Sequence, residues 1–303
     1  MDIDALNSEH KIDGTLRVVE GQGGLPMIEI ENAQATALIS VHAGQVLAYR
    51  PSGASSDLLF VSERAYFAPG KAIKGGVPIC WPWFGADPEG RGRPAHGFVR
   101  SMPWSLLETE SLPDGATRVL LGITDEAETR AQWAHAFNLL LEVRVGETLR
   151  VEMITRNRED RPFPITQALH TYFKVGDATR ARVLGLEGCR YIDKSANGGD
   201  AVITQEGAVT VSAEVNRIYQ GVPAHLSIED PALGRRIRIE TERSATCIVW
   251  NPWVETARAM ADLDDEDYRI MLCVETANAA DEVVEVPAGG EARLTAEYAI
   301  EAL

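Results

Sequence analysis

Two residues far apart in the sequence carry side chains suited to acid–base chemistry. His170 stands in the segment LHTYF, and Glu275 stands in LCVETAN, where a carboxylate interrupts the apolar run 270–274. Burying an unpaired carboxylate costs free energy. Glu275 therefore either reaches solvent or has a function that depends on a perturbed pKa. A strand histidine among apolar neighbours is more often a satisfied core residue than a catalyst. From these residues alone, both interpretations stay open.

A third candidate, His96 with Arg100, lies at the end of the stretch KGGVPICWPWFGADPEGRGRPAHGFVR, residues 74–100. Its prolines and glycines disfavour both helix and regular strand. Long structured loops in compact domains are usually functional. The stretch therefore predicts a rigid surface loop that presents aromatic rings and cations to a small ligand. The alternative is that its tryptophans and prolines plug the end of a sandwich.

Motifs for other kinds of catalysis are missing from the sequence. It contains no HxH or HExxH pattern, no cysteine pair with zinc spacing and no GxSxG nucleophile elbow. Gly75 and Gly76 do not belong to a phosphate-binding GxxxxGK[ST] loop. The candidates together favour acid–base chemistry without a metal or a cofactor.

The elements that must position these residues are predicted to be strands. Short alternating segments such as LRVVE, MIEIE, ATALIS and QVLAYR recur between turn residues, and a hairpin is predicted to turn at Gly146–Glu147. Period-two alternation places Ala168, His170 and Tyr172 on one face of their strand. One short helix is predicted within 124–133. We expect a single all-β domain over residues 1–303, a large and mainly antiparallel sandwich.

Composition narrows the classes of partner. The chain of 303 residues has 45 acidic and 29 basic residues and a formal charge of −16, which disfavours nucleic acid and anionic membranes. No apolar run approaches the roughly 20 residues that cross a bilayer. The four cysteines are widely spaced and the first residues are polar, so a cytoplasmic protein without disulfides is expected.

Several motifs resemble, in order, those of the hexose-6-phosphate mutarotases within the aldose 1-epimerase family. They are GGVPICWPWFG, PAHGFVR, LHTYFKVGD, VNRIYQ, VWNPW, MADL and CVETAN, and they cover most of the chain. The resemblance implies a galactose-mutarotase-like β-supersandwich that binds one sugar phosphate. It implies an isomerase that interconverts the α and β anomers of glucose 6-phosphate and related hexose 6-phosphates. Two acid–base groups suffice for this reaction, so no cofactor is expected.

The resemblance also assigns roles to residues. His170 and Glu275 would transfer protons, while Lys74, His96, Arg100 and Asn216 would line the sugar or its phosphate. Trp83, Phe84 and Trp250 are candidate apolar platforms for the sugar ring. Two positions depart from the family pattern. Lys74 replaces the usual arginine, so the charge remains but the bidentate hydrogen bonding of a guanidinium is lost. Asn216 replaces the usual aspartate, and its amide can hydrogen-bond a sugar hydroxyl but cannot act as a base.

Three other functions remain open at this point. The protein could act on unphosphorylated aldoses, or it could bind carbohydrate without catalysis. A glycoside hydrolase would need a second carboxylate, for which Asp262 is the candidate beside Glu275. The expected partner is a small sugar phosphate and the expected state is a monomer.

Overall fold

The computed structural model describes residues 2–303, and most of its regular structure is strand. The first twelve strands are β1 (Leu16–Glu20), β2 (Pro26–Glu31), β3 (Ala35–Ser40), β4 (Gln45–Pro51), β5 (Ile79–Cys80), β6 (Ser105–Ser111), β7 (Thr117–Thr124), β8 (Phe137–Val145), β9 (Leu149–Asn157), β10 (Phe163–Ile165), β11 (Gln167–Leu169) and β12 (Tyr172–Lys174). The others are β13 (Arg182–Leu184), β14 (Arg190–Asp193), β15 (Val202–Thr204), β16 (Val209–Thr210), β17 (Val215–Gln220), β18 (His225–Asp230), β19 (Arg235–Glu242), β20 (Thr246–Asn251), β21 (Met271–Asn278), β22 (Val284–Val286) and β23 (Glu291–Ala302).

Three short α-helices occur within residues 2–303: α1 (Ile3–His10), α2 (Ala127–Gln132) and α3 (Trp253–Ala259). The helix predicted within 124–133 is confirmed as α2. Helix α1 was not predicted, although Asp2 caps it by accepting hydrogen bonds from the backbone N–H groups of Asp4 and Ala5. The all-β prediction is confirmed because these helices only decorate the sheets.

Two large antiparallel sheets form the body of the fold. The nine-stranded sheet has the order β16-β13-β18-β19-β23-β9-β8-β7-β6. The eight-stranded sheet has the order β15-β14-β17-β20-β21-β11-β5, and β12 also pairs with β21. A smaller sheet follows the order β1-β2-β3-β4, and β10 pairs with β22. The hairpin predicted at Gly146–Glu147 is confirmed between β8 and β9.

The core lies where the sheets face one another. Burial alternates along β8, as a strand with one face on a core requires. Leu141 of the nine-stranded sheet and Val274 of the eight-stranded sheet are nearly inaccessible and belong to one hydrophobic cluster. Ile39 of the small sheet packs into the same cluster. The sheets therefore bury a common apolar interior.

The stretch 74–100 is not a surface loop throughout, so that part of the prediction is wrong. Residues 75–83 are buried, and β5 lies at the edge of the eight-stranded sheet. Gly75 and Gly76 have positive φ, and a Cβ on Gly76 would lie 2.2 Å from the carbonyl oxygen of Val46. Gly76 therefore permits close packing of the backbone against Val46. Most of residues 86–95 are exposed, as a loop requires.

Candidate active site

The imidazole of His170 and the carboxyl of Glu275 are neighbours because one strand pairs with two others. Strand β21 pairs with β11 and then with β12, and His170 lies in the gap between those two. Glu275 projects from the middle of β21 opposite this gap. The Nδ1 atom of His170 is 3.4 Å from the Oε1 atom of Glu275. Two residues 105 positions apart in sequence (275 minus 170) thus meet through sheet register.

Both side chains are buried and incompletely hydrogen-bonded. His170 is 8% exposed and Glu275 is 2% exposed. Within residues 2–303, neither Nδ1 of His170 nor Oε2 of Glu275 has a hydrogen-bond partner. An unsatisfied buried polar atom costs roughly 1–3 kcal/mol, and it needs an explanation such as a binding or catalytic role. The structure therefore disfavours both a satisfied core histidine and a glutamate that reaches solvent.

Burial favours the uncharged form of each partner. It raises the pKa of the Glu275 carboxyl well above its usual value, and the Arg100 charge opposes this. It lowers the pKa of the His170 imidazole well below its usual value, and the charges of Arg100 and Lys74 act in the same direction. In the free site, the pair therefore holds one exchangeable proton over a broad pH range.

His96 stands beside this pair in a fixed tautomer. Its ring centroid is 5.7 Å from that of His170. The backbone N–H of Gly85 donates to Nδ1 of His96 at 3.3 Å, so a neutral ring carries its proton on Nε2. Burial, followed by the charges of Arg100 and Lys74, lowers the pKa of His96 to about 3. His96 is therefore a neutral hydrogen-bond donor at pH 7.

Two cations lie close enough to influence the histidines electrostatically. The Nζ atom of Lys74 is 3.4 Å from Oδ2 of Asp262. The Arg100 guanidinium donates to the carbonyl oxygen of Ala95 at 3.0 Å. Both charges lower the pKa of His96 and of His170. Two basic side chains therefore lie near the histidines in a protein of formal charge −16.

Gln45 holds the backbone on both sides of Lys74. It is fully buried, and its Nε2 atom donates to the carbonyl oxygens of Ile73 at 3.1 Å and Gly75 at 2.5 Å. Gln45 was not among the residues predicted for the site. The available signal was a glutamine at the start of the strand-like segment QVLAYR, but it did not indicate which carbonyl groups the side chain would meet.

Aromatic rings form the rest of the site. Tyr172 stacks on His170 with centroids 4.9 Å apart, and Trp250 approaches His170 edge-on at 6.2 Å. Phe84 approaches His96 edge-on at 4.7 Å. Phe84 and Trp250 are partly exposed, so their rings are available to a ligand. Tyr172 was absent from the predicted set, although the alternation that placed it beside His170 was the signal.

Of the two remaining predicted residues, Asn216 lies next to an aromatic residue of the site, whereas Trp83 is covered by other parts of the protein. Asn216 is half-buried on β17, directly opposite Trp250 of β20. Trp83 is only 4% exposed, its indole N–H donates to the carbonyl oxygen of Pro94, and the Arg93 guanidinium lies 4.2 Å above its ring. The prediction of Trp83 as a sugar platform is wrong, because the protein itself already covers the ring.

A family model described as "Aldose 1-epimerase" matches residues 26–299, which is nearly the whole chain. The chain belongs to the aldose 1-epimerase family. The predicted family and the predicted isomerase class are therefore confirmed. The histidine and glutamate described above lie within the matched residues.

Individual relatives agree with this assignment. An Escherichia coli (strain K12) protein, provisionally named as a glucose-6-phosphate 1-epimerase, is 35% identical over 85% of this chain and 84% of its own length. A provisionally assigned mutarotase from Salmonella typhimurium, whose crystal structure is solved, is 29% identical in sequence. The two structures match with a TM-score of 0.89, and the match covers 99% of this chain and 99% of that chain.

A more distant structure shows the shared fold. The galactose mutarotase-like protein of Clostridium acetobutylicum is 14% identical, with a TM-score of 0.73 over 96% of this chain and 100% of that chain. The predicted galactose-mutarotase-like β-supersandwich is therefore confirmed for this epimerase family member. Within residues 2–303, no helix is long and apolar enough to cross a membrane.

Proposed function

We propose that this protein interconverts the α and β anomers of glucose 6-phosphate and of related hexose 6-phosphates. The observation that carries the proposal is the buried contact between His170 and Glu275, which leaves Nδ1 of His170 and Oε2 of Glu275 without hydrogen-bond partners among residues 2–303. The names of the relatives support the choice of a phosphorylated sugar as substrate. The reaction needs proton transfer, and the described residues supply it.

Ring opening requires two proton transfers on one sugar. A base takes the proton of the anomeric hydroxyl, the C1–O5 bond breaks as C1 becomes a carbonyl, and an acid protonates O5. We assign Glu275 as the base and His170 as the acid, with the roles exchanged when the ring closes on the other face. Each positioned group typically contributes ~10²–10⁴ in rate. No proton is gained or lost over the complete cycle.

The proton count of the free site agrees with this assignment. An ionised Glu275 beside a protonated His170 contains the same single proton as the two uncharged side chains that burial favours. Moving this proton from the carboxyl to the imidazole produces the reactive ion pair without exchange with solvent. A bound sugar can stabilise that pair through its hydroxyl groups.

The surrounding residues bind and orient the sugar in this proposal. His96 donates from Nε2 to an oxygen of the sugar. Arg100 and Lys74 bind the phosphate through charge-assisted hydrogen bonds, with Lys74 acting as a point charge. Phe84 and Trp250 face the apolar side of the ring, and Asn216 hydrogen-bonds a hydroxyl.

A comparison of phosphorylated and free sugar tests the substrate. We expect faster anomer exchange, followed by NMR, for glucose 6-phosphate than for glucose. The Arg100→Ala variant should lower the ratio of kcat/KM for glucose 6-phosphate to kcat/KM for glucose by roughly 10- to 100-fold. A charge-assisted hydrogen bond contributes about 1.5–3 kcal/mol, which corresponds to this loss. Arg180→Ala, at an exposed arginine, is the matched control.

Two results of this comparison would contradict the proposal. Equal exchange of both sugars by the wild-type protein would favour an epimerase for free aldoses. Binding of sugar without accelerated exchange would indicate a carbohydrate-binding module. The hydrolase alternative is weakened because Asp262 is paired with Lys74.

We also propose a cytoplasmic monomer that needs no cofactor and binds neither nucleic acid nor membrane. Four free cysteines suit a reducing compartment. Proton transfer between two side chains requires no further group. Light scattering of the purified protein measures the oligomeric state, and subcellular fractionation measures the compartment.

A further inference from the structure

Three side chains of the candidate site carry donor atoms that zinc-type cations prefer. Cys273 and Glu275 are two residues apart on β21 and project from the same face, and His170 lies opposite them. One donor atom from each residue lies within 4.8 Å of the other two. A thiolate, an imidazole and a carboxylate are all common ligands of Zn²⁺.

The spacing of two of these donors already suits a metal. Bonds of about 2.0–2.1 Å at a tetrahedral angle place a nitrogen and an oxygen ligand roughly 3.3 Å apart. The observed distance between Nδ1 of His170 and Oε1 of Glu275 is 3.4 Å. The same nitrogen and the other carboxyl oxygen lack hydrogen-bond partners among residues 2–303. The Cys273 sulfur lies within 4.8 Å of a donor atom of each partner, and it must approach them more closely to become the third ligand.

We propose that His170, Cys273 and Glu275 bind a thiophilic divalent cation such as Zn²⁺ or Cd²⁺, and that this ion inhibits the enzyme. Binding releases the thiol and carboxyl protons to solvent, and the two anionic ligands neutralise the ion's charge. The nearby Lys74 and Arg100 therefore face a neutral centre. A metal-bound Glu275 and His170 cannot transfer protons. The inhibition rests on the proposed function, whereas the binding does not.

Cadmium binding to the purified protein tests the site without an activity assay. Titration with Cd²⁺ should produce the ultraviolet thiolate-to-metal charge-transfer band, saturating at one ion per chain. Cys273→Ser should abolish this band. Cys247→Ser should retain it, since Cys247 is an equally buried strand cysteine that packs in the main core cluster. Cys189→Ser, at a half-buried thiol, controls for surface binding.

A second variant keeps the test valid if Cys273→Ser does not fold. Glu275→Gln retains the thiol but loses an anionic ligand, so its Cd²⁺ affinity should fall by about tenfold or more. The inference is overturned if the wild-type protein gives no band, if the band survives in Cys273→Ser, or if Glu275→Gln binds as tightly as wild type.

Inhibition is measured separately by anomer exchange on glucose 6-phosphate. Micromolar Zn²⁺ should slow exchange, a chelator should restore it, and added substrate should weaken the metal's effect. An active enzyme without the cadmium band would reject the metal site and leave the proposed function intact. Metal binding in a protein that catalyses no exchange would reject the proposed function and leave the site intact.

Discussion

We expect the buried imidazole of His170 and carboxyl of Glu275 to titrate as one unit that shares one proton. Adding a second proton leaves a charged His170, and removing the shared proton leaves a charged Glu275. Burial disfavours both outcomes, as the directions of the two pKa changes indicate. Macroscopic titration steps therefore describe the pair and not the separate residues.

This sharing predicts a wide pH plateau for kcat/KM. The acid limb should lie below 6.5, the usual pKa of histidine, because the pKa of His170 is lowered. The alkaline limb should lie well above 4.5, the usual pKa of glutamate, because the pKa of Glu275 is raised. Activity is thus lost as the pH falls through the acid limb and as it rises through the alkaline limb.

The pH profile is best measured with free glucose, since a phosphate group itself titrates near pH 6. Arg100→Ala should move the alkaline limb upward, because the Arg100 charge opposes the increase in the Glu275 pKa. An acid limb above 6.5, or an alkaline limb that is insensitive to Arg100, would contradict the shared-proton description.

At the scale of elements, the loop that carries His96 is fixed by close backbone packing. Gly97 has a φ of +73°, and a Cβ there would lie 1.8 Å from the carbonyl oxygen of Trp81. Arg93 ties the exposed part of the loop to Asp87 and to the carbonyl oxygen of Gln132, the last residue of α2. The position of the His96 ring therefore depends on residues outside the site.

Gly97→Ala should displace His96 and lower the rate of anomer exchange by about 10²-fold, the loss that a misplacement near 1 Å can cause. Gly92→Ala is the matched control, because Gly92 also has a positive φ of +80° but a Cβ there has open space. Exchange rates and thermal unfolding are measured for both variants. Equal effects would show that strain at φ, and not contact with Trp81, explains the loss.

The sequence predicts the strands, and the side chains that share a face of a strand, better than it predicts which strands pair and which side chains meet. Alternation correctly predicts that Ala168 and Tyr172 share the face of His170, since Ala168 packs with Phe84 and Trp250 and Tyr172 stacks on His170. The pairing of β21 with two separate strands could not be derived, because register depends on contacts distant in sequence. Trp83 is covered by Arg93 and packs against Phe98 in the main hydrophobic cluster, and no local pattern encodes these contacts.

At the scale of the whole molecule, one core joins all the large sheets. The main hydrophobic cluster contains Leu16 near the start of the chain and Tyr298 near its end. The four-stranded sheet contributes Ile28 and Ile39 to that cluster. These contacts support the proposal that residues 1–303 are a single domain, since no sheet has a separate apolar interior of comparable extent within residues 2–303.

A shared core predicts one cooperative unfolding transition. In differential scanning calorimetry, the calorimetric and van't Hoff enthalpies should agree, as they do for a two-state protein. Intrinsic tryptophan fluorescence and far-ultraviolet circular dichroism should report the same midpoint. Two resolved transitions would mean that the chain is divided into independently stable parts.

The most direct test of the account compares single and double variants of the proposed catalytic pair, His170 and Glu275. Anomer exchange on glucose 6-phosphate is measured by NMR for His170→Asn, Glu275→Gln and their combination, with His225→Asn and Glu255→Gln as exposed controls. Residues that act as a unit are not additive. We predict that each single variant loses nearly all acceleration and that the double variant loses no more. Wild-type-like exchange in either single variant, or a further large loss in the double variant, would contradict the account.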